Sequence, residues 1–190
     1  LLAVLTALAL VCACPGLATG YAWADEVDDA QAEQLIEKIC QAQTVFLAGS
    51  GRSGLAGKAF AMRLGHLGKQ AAVIGETMTP PFCPGDLLLA CSGSGESGAQ
   101  LVLAQKAKRL QGNVALVTIA DSSIGRIADC ILEIPAPSPK VTAERSASIQ
   151  PMASLFEQSL LLTLDVLILK LMDRYGMDTD EMYRRHVNLE

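Results

Sequence analysis

A parallel α/β sheet covered by helices on both faces is the fold this sequence predicts, and three observations predict it. Short, almost wholly apolar runs recur, among them Val45-Phe46-Leu47-Ala48, Leu87-Leu88-Leu89-Ala90 and Val114-Ala115-Leu116-Val117. They lack the alternation of a strand with one wet face, so they read as strands buried on both sides. Segments with helical periodicity separate them, which is the rhythm of βαβ units. Two of the runs also end in glycine- and serine-rich turns that open helices, Gly49-Ser50-Gly51-Arg52-Ser53-Gly54 and Ser92-Gly93-Ser94-Gly95-Glu96-Ser97-Gly98. In such sheets ligands sit at the carboxyl ends of strands, so the two turns are expected to converge on one pocket.

At 190 residues the chain suits a single domain. Residues 1–43 read as a helical N-terminal segment, 44–135 as the sheet core and 151–190 as closing helices. Residues 1–13 carry no charge, and Ala22-Trp23-Ala24 ahead of Asp25-Glu26 imitates a signal-peptidase site. The apolar run is too short to span a bilayer and no positive region precedes it, so an uncharged helix hidden between subunits is the preferred reading. After the Pro15-Gly16 break, residues 30–40 predict a helix with Leu35, Ile36 and Ile39 on one side. Strands are expected at 44–48, 70–74, 86–91, 113–119 and 130–134. Helices are expected at 54–67, ended by Gly68, at 98–111, and briefly at 123–128. Pro80-Pro81 makes 75–81 a loop, and the Pro-, Ser- and Ala-rich stretch 135–151 a longer one. A leucine-rich helix at 152–175 stops at Gly176, and Asp178 with Glu181 forms a capping box for a last helix over 179–188.

Composition removes several classes of function. With 51% hydrophobic and 18% charged residues the chain is not generally disordered. Net charge is −5 and the lysines and arginines are scattered, which argues against a nucleic-acid surface. The six cysteines include no C-x-x-C pair, and with only His66 and His186 available no zinc-ligand spacing exists. Cys91 and Cys130 fall on apolar strands and read as small hydrophobes. Reduced thiols in a cytoplasmic protein are the expectation.

The serine-rich turn carries the chemistry. Its glycines let the backbone approach an anion, the following helix start leaves N–H groups unpaired, and Ser92, Ser94 and Ser97 donate without bringing a cation. That combination suits a phosphate monoester held as a handle. The first turn also fits G-x-G-x-x-G, with Glu76 downstream, as a dinucleotide site would. Glu76 lies in a Pro-rich loop rather than at a strand tip, however, and Arg52-Ser53 suits a compact anionic sugar better. Glu157, one turn into a helix beside Phe156, Leu160 and Leu161, is either a solvated helix-start carboxylate or a general base. His66 ends the helix opened by the first turn, so it reaches a strand-tip pocket only across a subunit boundary. His186, in Arg184-Arg185-His186, raises the same question.

These two turns, with Lys58 to Gly68, Gly75-Glu76-Thr77-Met78-Thr79-Pro80, Gln150-Pro151-Met152-Ala153-Ser154-Leu155-Phe156-Glu157 and Arg184-Arg185-His186, resemble the sugar isomerase (SIS) domain family, and within it the 6-phospho-3-hexuloisomerase branch. The resemblance runs from about residue 44 to the end. It implies a five-stranded parallel sheet of flavodoxin-like order, and a homotetramer or dimer of dimers with shared active sites. It also implies interconversion of D-arabino-3-hexulose 6-phosphate and fructose 6-phosphate, with no metal and no organic cofactor. By matching motif, Ser53, Ser92, Ser94 and Ser97 would hold phosphate, with Ser50, Gly51, Arg52, Gly93, Glu76 and Thr77 around the substrate. Glu157 would be the base, and His66 of a neighbouring subunit, or less directly His186, its assistant. Residues 1–24 are unusually apolar for this family, and Ser97 stands where threonine is usual. A second possibility within the family is a sugar-phosphate sensor, though no basic helix-turn-helix segment is visible. Neither a membrane nor a nucleic-acid partner is expected, and the physiological direction stays open.

Overall fold

The computed structural model describes residues 27–136 and 151–189, and within them the apolar runs pair side by side as parallel strands. The apolar run at 1–13, the Ala22-Trp23-Ala24 motif and most of the 135–151 loop, including Gln150, lie outside the described residues. The elements are α1 (Asp29–Gln41), β1 (Thr44–Gly49), α2 (Gly51–His66), β2 (Gln70–Val73), β3 (Leu87–Cys91), α3 (Gly98–Arg109), β4 (Asn113–Thr118), a 3₁₀ turn (Gly125–Ile127), β5 (Cys130–Glu133), α4 (Ser154–Tyr175) and α5 (Thr179–Tyr183). The strand order is β2-β1-β3-β4-β5, with every pairing parallel. Order reverses between β1 and β3, the place where open α/β sheets form their binding crevice.

Alternate residues of each strand serve opposite faces. Val45, Leu47, Leu87, Leu89, Ala115 and Val117 point into the larger core with α1, α2 and α4. Phe46, Ala48, Leu88, Ala90, Val114 and Leu116 point into a second core under α3. Both faces are dry, which is why these strands are apolar at every position. The sheet's lower edge is held by Asp86, a buried carboxylate that accepts from the backbone N–H groups of Thr44 (3.0 Å) and Cys83 (2.7 Å). That commitment explains why β3 starts at Leu87 rather than at residue 86. Lys69 ties the end of α1 to the sheet by donating to the carbonyl oxygens of Cys40 (3.1 Å) and Ala42.

Two boundaries differ from expectation by three residues or more, each for a physical reason. Helix α2 begins at Gly51 rather than residue 54, because Gly51 (φ +56°) bends the chain straight into the helix. Gly49 and Gly54 then touch: a Cβ on Gly54 would lie 2.7 Å from the Gly49 carbonyl oxygen. The last helix ends at Tyr183 rather than residue 188, since beyond Met182 its apolar residues Tyr183, Val187 and Leu189 are exposed and bury nothing. Asp178 caps it by accepting from the Glu181 N–H at 2.8 Å. Among the described residues, no helix is long and apolar enough to cross a membrane.

Candidate active site

The last residues of β1 and β3, Gly49 and Cys91, are direct partners in the sheet. Both glycine-rich turns therefore leave the sheet from one point and cannot diverge. Between them opens a cleft of about 420 Å³, lined by Ser50 and Ser53 from the first turn and by Ser92, Gly93, Ser94, Glu96 and Ser97 from the second. Ala153, Phe156 and Glu157, at the start of α4, form its other wall. The serine turn is stitched to the end of β4, for the Ser92 N–H donates to Val117 (3.0 Å) and the Ile119 N–H to Gly93 (3.1 Å). Ser92 Oγ accepts from the Gly95 N–H at 3.1 Å and Ser94 Oγ from the Glu96 N–H at 3.3 Å. Each hydroxyl thus spends a lone pair on the loop and keeps its proton to donate.

Three helices start at this cleft, and their ends differ from those elsewhere in the molecule. Away from it, α1 and α5 are capped by Asp28 and Asp178, whose carboxylates accept first-turn N–H groups. At it, the caps of α2 (Ser50), α3 (Ser97) and α4 (Ala153) make no side-chain capping bond among the described residues. Uncapped first turns aim partial positive charge and unpaired donors into one space, which favours an anion.

Glu157 is the acid in this setting. Its side chain is 18% exposed, and its Oε2 accepts from Arg52 Nε at 2.5 Å, while Arg52 itself is 63% exposed. The carboxylate is thus held at the cleft wall by a cation that water still reaches. Phe156, buried beside it, packs over Gly93 so closely that a Cβ there would sit 3.0 Å from the ring. The contact fixes α4 against the serine turn.

Of the sequence-predicted residues, the structure brings together Ser50, Ser53, Ser92, Gly93, Ser94, Ser97 and Glu157, with Arg52 reaching in through its ion pair. Gly51 supplies the bend beneath them without lining the cleft. Glu76 and Thr77 are exposed and do not line it, and Glu76 instead forms an ion pair with Lys58 of α2. His66 and His186 meet each other, ring centroids 5.2 Å apart, at the far end of α2. Burial, then the Arg63 and His186 charges, hold the His66 imidazole below its usual pKa, favouring the neutral ring. Cys91 lines the cleft floor as an inert thiol, pushed up to about 12 by burial. Sequence reasoning missed Glu96, which accepts from the Ser123 N–H at 2.7 Å, and Gln100 of α3. The available signal for Gln100 was its position three residues after the Ser97 cap, from which a side chain folds back over the first turn.

The SIS domain profile matches residues 38–165. The chain is 49% identical over 166 residues to the 3-hexulose-6-phosphate isomerase of Bacillus subtilis, covering 86% of this chain and 89% of that one. It is 39% identical over 168 residues to the protein of the same name from Mycobacterium gastri, covering 88% and 84%. Among solved structures, a Methanococcus jannaschii protein, inferred from its own structure to be a 3-hexulose-6-phosphate isomerase, superposes with a TM-score of 0.77 at 34% identity over 85% of this chain and 86% of that one.

Proposed function

We propose, for a chain that belongs to the SIS domain family, the interconversion of D-arabino-3-hexulose 6-phosphate and fructose 6-phosphate. The single observation that carries the reading is that Glu157 lines the same cleft as the serine turn. A phosphate gripped by Ser92, Ser94, Ser97 and the start of α3 leaves the sugar carbons to run toward the carboxylate on the opposite wall.

In this mechanism Glu157 removes the proton on C2 of the 3-ketose, electrons shift to give a C2–C3 enediolate, the hydroxyl proton passes from O2 to O3, and the same carboxylic acid returns the carbon-bound proton at C3. The carbonyl thereby moves to C2 with no net loss of atoms or electrons. Arg52 and the uncapped helix starts stabilise the negative charge that appears on the sugar oxygens. In the 3-ketose the C6 oxygen is phosphorylated, so the usual five-membered ring cannot close and the substrate arrives open. Fructose 6-phosphate does cyclise, and ring opening in that direction calls for an acid. His66 of a neighbouring subunit is assigned that role, its position at the far end of α2 keeping it out of its own cleft. The reading extends to a homo-oligomer with shared sites in a reducing cytoplasm, where isolated cysteines stay as thiols.

The test is incubation with fructose 6-phosphate in deuterated water. Deuterium bound to carbon and appearance of the 3-ketose are expected; the absence of both removes the proposal.

A further inference from the structure

Gln100 is a buried polar residue of the cleft that the mechanism above leaves without work. It is only 4% exposed, yet it lines the cleft beside the serine turn. Its amide oxygen has no hydrogen-bond partner among the described residues. A buried acceptor left unpaired lowers the stability of the free protein, so its presence calls for a partner. The other polar groups at this end donate. Ser92 and Ser94 have each accepted a loop N–H and keep their protons, and the uncapped start of α3 offers N–H groups. The two carboxylates are engaged, Glu96 with the Ser123 N–H and Glu157 with Arg52. Gln100 is therefore a buried amide acceptor without a partner among groups that have protons to donate.

The phosphoryl group of a monoester dianion has no proton for that acceptor, whereas a sugar hydroxyl has one. The terminal amide torsion of glutamine is broad, so the oxygen can turn toward the cleft when such a hydroxyl arrives. Gln100 stands three residues after Ser97, at the phosphate end, so the hydroxyl within reach is the one next to the phosphorylated carbon. We propose that Gln100 accepts a hydrogen bond from that hydroxyl, making the cleft select a phosphate ester that carries the hydroxyl over one that lacks it. The inference rests on the sugar-phosphate reading and adds to it a residue that sets specificity.

The experiment is calorimetric titration of the full chain, at a pH where the esters are dianions, with glucitol 6-phosphate, 5-deoxyglucitol 6-phosphate and methyl phosphate. Both sugar ligands are acyclic, so ring opening does not enter. The wild type is expected to bind glucitol 6-phosphate about 3- to 10-fold tighter than the 5-deoxy compound. Gln100→Met, close in size and apolar, is expected to lose that preference, to bind methyl phosphate as the wild type does, and to melt no lower in the free state. Equal wild-type affinities for the two sugar ligands overturn the proposal without recourse to any variant. So does a Gln100→Met protein that retains the preference, or that loses methyl phosphate and sugar phosphate alike. A wild type that binds neither sugar ligand overturns the sugar-phosphate reading together with this one.

Discussion

Replacing Glu157 by glutamine keeps the side chain's shape and removes its charge, which separates proton transfer from every structural role the residue has. The structural cost is bounded by its ion pair. Arg52 Nε lies 2.5 Å from Glu157 Oε2, but Arg52 is 63% exposed, so water screens the pair. A pair of this kind contributes about 0.2–1 kcal/mol. For a chain of this length that is a fall in melting temperature of at most about 4 °C. Loss of a positioned general base, in contrast, lowers kcat by about 10²- to 10⁴-fold, or about 3–5 kcal/mol of barrier. The assay is fructose 6-phosphate formation from the 3-ketose, read beside a thermal melt and a titration with sugar phosphate. The expected outcome is lost turnover, a nearly unchanged melt and retained binding. Glu157→Asp draws the carboxylate back by about 1.5 Å and is expected to cost about 100-fold in kcat. A Glu157→Gln protein that turns over within about tenfold of the wild type would refute the assignment, because the proton would then be moving through another group.

Four further outcomes follow from the packing and charge of the fold. Gly54→Ala drives a Cβ to 2.7 Å from the Gly49 carbonyl oxygen, so α2 must shift off β1. It is expected to cost about 1–3 kcal/mol and raise KM. Gly65→Ala on the same helix meets nothing within 4 Å and is expected to stabilise by about 0.5–1 kcal/mol. Urea unfolding checks the opposite signs. Lys69→Met strips the donor from the Cys40 and Ala42 carbonyls and is expected to lower stability by about 1–3 kcal/mol, seen as a lower urea midpoint at unchanged slope. His66 has its pKa lowered by burial, Arg63 and His186, so near pH 6 the folded chain binds fewer protons there than the unfolded chain. Its contribution to stability is complete above the ordinary histidine pKa of about 6.5 and is lost as pH falls below it toward the folded value. His66→Gln is expected to flatten the melting-temperature profile below pH 6.5, and an unchanged profile would refute this.

The contrast between Ser92 and Glu76 shows what a linear reading reaches. Ser92's place in the cleft was legible because a serine- and glycine-rich turn between a buried strand and a helix falls at the carboxyl edge of a parallel sheet, where such clefts open. Glu76 was assigned to the substrate on the same kind of motif reasoning, yet its carboxylate pairs with Lys58. Nothing in the spacing reveals that choice, because it depends on which face of α2 turns toward the loop. Gln100 was overlooked for a related reason: on a helix that also carries Gln105, Lys106, Lys108 and Arg109, a glutamine reads as solvent-facing, whereas the fold buries it at the cleft.

By itself, the sequence determined the parallel sheet, its dry faces, the two glycine- and serine-rich turns at its rim and the acidic residue opening α4. All of these are written in local periodicity and turn chemistry, which act within a few residues of chain. Only the tertiary structure decided that Gly49 and Cys91 would be neighbours, that Arg52 would hold Glu157 across 105 positions, and that three uncapped helices would start at one cleft. Those outcomes depend on strand order and on which apolar stripes pack together, and both are settled by burying the whole core at once rather than by any single segment.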